Sequence, residues 1–217
     1  MDEIVFVTSN KGKLAAAKET FTKFNVGFVG CDLDIVEPNV NDIEFISKYK
    51  VLEAYKKLNK PCIALDAGFY IPNYPNKPNF PGAFPKRELL NKIGIDGLLK
   101  EMEGVQDRSC YFKECLSYYD GKSVKQFFGF TYGTISTEIL GNDTDKKWSE
   151  LWYIFIPRNC KKTLAQMTDI ERKNEKDRRT TAFQEFATWY SQNIFWLCNK
   201  NTKVKYEITD FEKWNWI

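Results

Sequence analysis

The chain contains no histidine among its 217 residues. Nucleophilic Ser-His and Cys-His pairs are therefore excluded, and any general base must be a carboxylate, a lysine, a tyrosine or a metal-bound water. Zinc sites that mix cysteine with histidine are excluded for the same reason. The missing imidazole favours chemistry carried out by carboxylates and a metal ion.

Cysteine pairs and long apolar runs are also absent from the sequence. None of the six cysteines forms a Cys-x-x-Cys pair, which favours reduced, buried thiols over a redox or metal motif. Apolar runs such as LWYIFI at 151–156 are too short to span a bilayer. Because Met1 leads directly into a charged residue and a short apolar run, we predict a soluble, cytoplasmic protein.

The sequence also lacks an excess of either charge. It has 32 basic and 29 acidic residues, so nothing in the balance points to a nucleic acid polymer or a membrane as partner. The composition, 43% hydrophobic and 28% charged, suits a folded chain with a sizeable core. We therefore expect residues 1–217 to form a single globular domain, with room for two lobes.

The first patterned stretch is a short strand, a polar turn and a helix. Residues 4–7 form an apolar run, and apolar residues recur at helical spacing from Leu14. The free N–H groups and positive dipole end of such a helix favour a phosphate group. An ordinary capped helix with solvated lysines explains the pattern equally well. The polar residues in question are Thr8, Ser9 and Asn10, of which Ser9 or Asn10 can cap, and Lys13.

A second helix is predicted after a loop that contains Glu37. Asn41 and Glu44 have the spacing of a capping box, and an apolar stripe follows from Ile43 to Leu58. Lys50 falls within that stripe. A lysine at such a position usually extends its ammonium into solvent, but a cleft beside the helix would give it an anion to meet.

Asp66 interrupts the apolar run PCIALDAGFYI. An isolated carboxylate within a buried strand is costly unless it is paired or binds a cation, so Asp66 is a candidate functional residue. We expect Gly68 to let the strand bend after it. The proline-rich stretch 72–85 is predicted to be an extended loop that acts as a lid or an interface arm.

The second half of the chain predicts more helices and a hairpin. Residues 86–103 indicate one or two short helices, followed by aromatic-rich strands with a hairpin turn at Asp120-Gly121, so an α/β sheet protein is expected. Thr168 and Glu171 form another capping box, and the spacing predicts a helix from Asp169 to about Gln192. The final stretch, 195–217, is expected to add a strand or helix.

Taken in order, several segments resemble the inosine triphosphate pyrophosphatase family, whose members hydrolyse aberrant purine nucleoside triphosphates. The opening motif matches the family's T-(S/G)-N-x-x-K signature, and the resemblance covers about residues 3–190, leaving 191–217 as a C-terminal extension. It implies an elongated, two-lobed mixed sheet flanked by helices with a central cleft, dependence on Mg²⁺, and a homodimer. The matching segments are VFVTSNKGK, Glu37, SKYKVLEAY, LDAGF, FPGAF, DRSCYF and RKNEKDRR.

The resemblance also assigns roles at the phosphate end of the substrate. Lys13, Lys50 and Lys173 match phosphate-binding lysines, and Asn174 matches the asparagine of the same E-K-N element. Glu37 matches the magnesium-binding glutamate. Asp66 matches the second aspartate of a D-D-S-G type motif, which is linked to metal binding and water activation. Leu65 stands where the family has the first aspartate.

The residues that recognise the base depart from the family pattern. An F-G-(W/Y)-D-P element is replaced by WSELWYIFIP, which offers Trp148, Trp152 and Tyr153 for stacking on the base. The family's S-H-R triplet aligns with Asp177, Arg178 and Arg179, which leaves the arginines to contact the base edge. Because such contacts discriminate strongly between bases, we expect an altered base preference.

The predicted reaction is hydrolysis of a nucleoside triphosphate to the monophosphate and pyrophosphate. One alternative keeps this reaction but moves it to a modified, deoxy or pyrimidine nucleotide. Another is a nucleotide-binding sensor or regulatory protein without turnover, which the loss of the first aspartate and of the triplet histidine allows. Retention of both metal-binding acids and of the lysines favours the enzyme.

Overall fold

The computed structural model describes residues 4–142 and 149–198, with side chains as far as residue 193. A seven-stranded mixed sheet is flanked by helices. The strands are β1 (Ile4–Val7), β2 (Phe28–Cys31), β3 (Cys62–Ile71), β4 (Phe80–Gly82), β5 (Ser109–Tyr119), β6 (Val124–Ile135) and β7 (Phe155–Pro157). The helices are α1 (Lys11–Lys23), α2 (Ile43–Leu58), α3 (Gly94–Glu101), α4 (Asp169–Asp177) and α5 (Ala182–Cys198), with a π-helical segment, Pro85–Leu90, and a 3₁₀ turn, Glu150–Tyr153.

The strand order leaves a gap on one side of β3. The order is β2-β1-β3-β5-β6-β7, in which β1 is parallel to its two neighbours and the later pairs are antiparallel. On the side away from β5, β1 pairs with β3 only as far as Ile63, and β4 pairs from Phe69 onwards. Among the described strands none pairs with residues 64–68 on that side, so side chains from other elements can reach the β3 backbone there.

Two hydrophobic cores on the long strands give the fold its two lobes. The first lies under α1 and α5 and includes Ile63 and Leu116, while the second lies around α3 and β7 and includes Phe69 and Phe112. β3 and β5 pass through both cores. Asp66 falls where β3 leaves the first core and enters the second, and the strand is less buried at this junction than on either side.

The helix starts confirm one predicted cap and correct another. Asn10 caps α1, with its side-chain oxygen accepting a hydrogen bond from the Lys13 amide at 3.0 Å. The predicted cap of α2 at Asn41 is wrong by one residue, because Asp42 accepts from the amides of the first turn. Asn41 is engaged elsewhere, since its Oδ1 accepts from the Ala83 amide at 2.7 Å.

The continuous helix predicted from Asp169 to about Gln192 is wrong. The capping box at its start is confirmed, but α4 ends at Asp177 and α5 starts at Ala182. Thr181 and Gln184 exchange side-chain and backbone hydrogen bonds and so form a second capping box between the helices. α5 continues to Cys198, and the rest of the stretch 195–217 lies outside the described residues.

The proline-rich segment and Gly68 also differ from expectation. The predicted loop at 72–85 contains β4, which pairs with the end of β3. β3 continues through Gly68, where a Cβ atom would lie 2.7 Å from the Gly82 carbonyl oxygen. This glycine therefore permits the close approach of β4 and does not bend the strand.

The predicted hairpin at Asp120-Gly121 is confirmed as the β5–β6 connection. The short helices predicted within residues 86–103 correspond to the π-helical segment and to α3, which begins at Gly94 and includes Gly97.

No helix within residues 4–142 and 149–198 combines the length and apolar character needed to cross a membrane.

Candidate active site

A cavity of about 570 Å³ opens where the β1–α1 turn, the loop after β2 and the helix α2 meet. Its position follows from the fold, because β1 and β2 are parallel and their carboxyl ends lie at the same edge of the sheet, beside the gap along β3. The lining residues are Val7, Thr8, Ser9, Asn10, Lys13, Asp32, Leu33, Asp34, Ile35, Glu37 and Lys50.

The turn that begins α1 is held in place by its own polar side chains. The Thr8 hydroxyl oxygen accepts from the Asn10 amide at 3.1 Å, and the Thr8 amide donates to the Cys31 carbonyl of β2 at 3.0 Å. Ser9 is exposed at the mouth of the cavity. The amino end of α1 therefore presents its positive dipole end to the cavity, an arrangement that binds anions.

Lys13 and Asp66 meet at the gap along β3. The Lys13 ammonium donates to the Leu65 carbonyl at 2.8 Å and lies 3.9 Å from Asp66 Oδ1. Both side chains are largely buried, with 23% and 13% of their surfaces exposed. Burial lowers the pKa of Lys13, and the charge of Asp66 opposes this shift. Burial likewise raises the pKa of Asp66, against the opposing charges of Lys13 and Lys50.

Glu37 and Lys50 form an ion pair on the other side of the cavity. The Lys50 ammonium donates to Glu37 Oε1 at 2.6 Å, with the lysine only 14% exposed and the glutamate 46% exposed. The negative charge of Glu37 also contributes to the raised pKa of Asp66, so the two carboxylates interact. Lys50 therefore turns from the buried stripe of α2 into the cavity, where an anion can replace its carboxylate partner.

The carboxylate pair is compatible with Mg²⁺. Magnesium binds to one or two protein carboxylates and completes its coordination with water and phosphate oxygens. Glu37 and Asp66, each beside one of the two cavity lysines, would provide that donor set. Within the described part of the chain no cluster of three or more acidic or cysteine side chains has the arrangement of an all-protein metal site. The donors fit an ion that arrives with a phosphate substrate.

The residues expected to recognise the base lie around the 3₁₀ turn and α4. The Arg172 guanidinium lies over the Trp152 ring at 5.3 Å, and Tyr153 packs against the second core. Arg179 is ion-paired with Glu175 at 3.2 Å. Trp148 lies outside the described residues.

The other candidates on α4, or directly after it, do not line the first cavity. Lys173 is exposed on α4, whereas Asn174 and Arg178 line a second cavity of about 290 Å³ beside residues 160–162. The structure thus brings the β1–α1 turn, Lys13, Glu37, Lys50 and Asp66 together. It leaves the described candidates for base recognition outside the lining of the first cavity.

One further acidic residue near the site escaped the sequence analysis. Glu114 lies in the middle of β5, opposite Ala67, and its negative charge raises the pKa of Lys13. Its Oε2 atom approaches the Ala182 amide at the start of α5, at 3.4 Å. The sequence signal was weaker than at Asp66, because Glu114 directly follows Lys113 and is not an isolated charge in an apolar run. Asp32 and Asp34, which follow β2, also line the cavity.

Comparison with known proteins places these features in a family. A Ham1 family model matches residues 4–189. The dITP/XTP pyrophosphatase of Saccharolobus solfataricus is 35% identical over 189 residues, covering 85% of this chain and 92% of the relative. The protein of the same name from Pyrococcus horikoshii is 33% identical over 195 residues, covering 88% of this chain and 98% of the relative.

Solved structures support the fold. The Staphylococcus aureus Ham1 protein matches with a TM-score of 0.69 at 21% identity, covering 90% of this chain and all of that one, 100%. A HAM1 protein from Coxiella burnetii also gives a TM-score of 0.69 at 21% identity, covering 90% of this chain and 99% of that one. The resemblance expected from the sequence motifs is confirmed, and the chain belongs to the Ham1 family.

Proposed function

We propose that this protein hydrolyses a nucleoside triphosphate to the monophosphate and pyrophosphate, with Mg²⁺ as its metal ion. Family membership and relatives named dITP/XTP pyrophosphatase, aligned over most of the chain, make it a nucleoside triphosphate pyrophosphohydrolase. The observation that carries the finer proposal is the convergence of Lys13, Lys50, Glu37 and Asp66 at the amino end of α1.

The lysines and the helix end bind the triphosphate in this scheme. Lys13 and Lys50 interact with the phosphate oxygens and offset the charge that builds on the pyrophosphate leaving group. Their present partners, Asp66 and Glu37, are the groups that would hold Mg²⁺, so substrate and metal enter by replacing two internal ion pairs. Lys173 is proposed to reach the phosphates from α4, on the strength of the sequence match alone.

Asp66 is proposed to act on the attacking water. Its carboxylate lies 3.9 Å from the ammonium of Lys13, a lining residue of the cavity, which places it beside the proposed phosphate site. It accepts a proton from the water as the oxygen attacks the α-phosphorus and the bond to the bridging oxygen of the β-phosphate breaks. When bound, the magnesium ion supplies Lewis-acid stabilisation of the phosphate oxygens. Glu37 would serve as its second carboxylate ligand.

We propose that the substrates are aberrant or modified nucleotides and that the base preference differs from that of the relatives. Stacking on Trp152 or Tyr153 and contact with Arg178 or Arg179 would provide recognition. The support is the replacement of the family's base motifs in the sequence. Housecleaning of damaged nucleotides is the corresponding role.

We further propose a cytoplasmic homodimer. The five cysteines with described side chains are free thiols, as expected for a reducing compartment.

The proposed dimer surface is one face of the sheet, where aromatic rings lie side by side with positively and negatively charged side chains around them. Such a surface can pair with a second copy of itself about a two-fold axis. The surface consists of Tyr70, Tyr111, Phe130 and Tyr132, the last 43% exposed, with Lys113, Glu44 and Arg158. Light scattering of a Tyr132→Lys variant should report a monomer.

The activity is tested by measuring pyrophosphate and phosphate release from natural, deaminated and modified triphosphates, with Mg²⁺ and after its removal by EDTA. We expect metal-dependent release of pyrophosphate from a few members of the panel. Release of inorganic phosphate alone would contradict the proposed bond cleavage. Saturable binding of a triphosphate without any release would support the alternative of a sensor or regulatory protein.

A further inference from the structure

The buried face of α2 contains a polar cluster between two apolar ones. Toward the start of the helix, Ile43 and Ile46 pack with Ala83 and Cys115, and further along Val51 and Ala54 pack against β1 and β3. Ser47 lies between these groups and is fully buried. A serine is unusual at the centre of an apolar interface, where alanine would fill the same space without a polar atom to satisfy.

Two side chains from the sheet, Cys115 and Ser117, contact Ser47, and a third, Gln126, contacts both of them. We call these four residues the α2 polar cluster. The hydroxyl oxygens of Ser47 and Ser117 are 2.8 Å apart, and Ser47 Oγ lies 3.2 Å from Cys115 Sγ. Gln126 Nε2 lies within hydrogen-bond distance of Ser117 Oγ, at 3.1 Å, and of the Glu44 carbonyl in α2, at 2.9 Å. No buried polar side-chain atom in the described residues lacks a partner.

A satisfied polar cluster constrains a helix more narrowly than apolar packing does. Apolar side chains tolerate small shifts, whereas a displaced hydroxyl or amide leaves a buried group without a partner. The cluster thereby fixes both the rotation of α2 and its position along the sheet. Lys50 lies one turn after Ser47 on the same helix, and its ammonium reaches Glu37 in the phosphate cavity.

We propose that the α2 polar cluster is a positioning device for Lys50. Ser47, Ser117 and Gln126 touch neither substrate nor metal. They hold α2 at the one placement from which the Lys50 ammonium enters the cavity. This inference rests on the proposed function, in which Lys50 binds a phosphate group.

The test is a double-mutant cycle with magnesium tripolyphosphate as the probe, because this ligand reports the phosphate end without any contribution from the base. Calorimetry gives its Kd for the wild type, Ser47→Ala, Gln126→Leu, Lys50→Ala, and the pairs Ser47→Ala/Lys50→Ala and Gln126→Leu/Lys50→Ala. We expect Lys50→Ala to weaken binding about 10- to 100-fold, as for loss of a charged hydrogen bond, and each cluster variant to weaken it about 3- to 10-fold. In the Lys50→Ala background, each cluster substitution should leave Kd unchanged within about twofold, because the group being positioned is gone.

A purely structural role predicts a different result. In that case the cluster variants would weaken binding by the same factor in both backgrounds, and the proposal would be overturned. It would also be overturned if neither cluster variant altered Kd in the wild-type background. If Lys50→Ala itself left Kd unchanged, the proposed role of Lys50 would fail first, and the two failures are thus distinguished.

The control is Ser136→Ala, which removes another buried hydroxyl. The Ser136 hydroxyl donates to the Glu138 carbonyl at 2.6 Å in the segment after β6. Its removal should leave Kd unchanged in either background. Thermal melts establish that every variant is folded at the assay temperature, and Ser47→Ala is the variant most certain to fold because alanine favours the helix.

Discussion

The phosphate end and the base end of the candidate site are built in opposite ways. At the phosphate end, Lys13 and Lys50 are already paired with the carboxylates Asp66 and Glu37, and three of the four residues lie on α1, α2 and β3, while Glu37 lies in the loop before α2. At the base end, the candidate side chains lie on a 3₁₀ turn and an exposed helix, and their contacts point in different directions. The triphosphate is common to all the proposed substrates, whereas the base varies, so the base end can diverge while the phosphate end is kept.

The largest effect is expected from a substitution of Asp66, which lies at the proposed phosphate end. Asp66→Asn removes the proposed general base while keeping the side chain's size, so turnover should fall by about 10³-fold or more. The fold should be retained, since an amide carries no charge whose burial is costly. Pyrophosphate release and a thermal melt measure the two properties. Near-normal turnover in a folded variant would contradict the assignment.

Lys13→Ala and Lys50→Ala should have the next largest effect. Each removes a proposed charged hydrogen bond to the phosphates and should lower kcat/KM by about 10²-fold for every triphosphate tested. Lys56→Ala is the matched control, because it removes an exposed lysine of α2 that pairs with Glu53. A loss that differed strongly between bases would place Lys13 or Lys50 at the base end instead.

Substitutions at the base end should have smaller effects on kcat/KM, and these effects should differ between bases. Trp152→Ala and Arg179→Ala are expected to change kcat/KM by about 10-fold for some bases and little for others. Lys173→Ala sharpens the comparison, because a uniform loss assigns Lys173 to the phosphate end and a selective loss assigns it to the base. The measurement is the same panel of triphosphates, ranked for each variant.

The smallest effect concerns the stability of α4. Hydrogen bonds from Lys162 and from the Thr168 amide hold the pKa of Glu171 at about 2, below its ordinary 4.5. Because the folded-state pKa is lowered, the stabilisation is present above pH 4.5 and is lost as the pH falls toward 2. Glu171→Gln should slightly lower Tm at neutral pH and flatten its decline over this acid range. An unchanged acid profile would contradict this role.

The phosphate end could be predicted because its signals are local. The strand, polar turn and helix of residues 4–23 follow from periodicity and capping, and Asp66 stands out as a charge in an apolar run. Their convergence could not be derived from spacing alone, since it depends on β1 and β3 being neighbours in the sheet. The family resemblance provided that long-range information.

The errors in the fold prediction also have physical causes. Thr181 and Gln184 have the spacing of a capping box, which marks the start of a helix. The apolar periodicity of α5 follows closely on the charged run of α4, so the pattern predicts one continuous helix and hides the break between the two. Asn41 and Asp42 are both suitable caps. Asp42 caps the helix because the Asn41 side chain accepts a hydrogen bond from the amide of Ala83, which is distant in the sequence. β4 was missed because its pairing with β3 compensates for a composition that disfavours strands.

The gap along β3 has a consequence for solubility. An unpaired strand edge is a template on which another chain can add a strand, and natural proteins block such edges with lysine. Here the Lys13 ammonium occupies the Leu65 carbonyl in the gap, and β1 and β4 leave only residues 64–68 open between them. We therefore expect the lysine proposed to bind substrate also to limit strand addition at this open stretch, so that solubility and the proposed chemistry share one ammonium group.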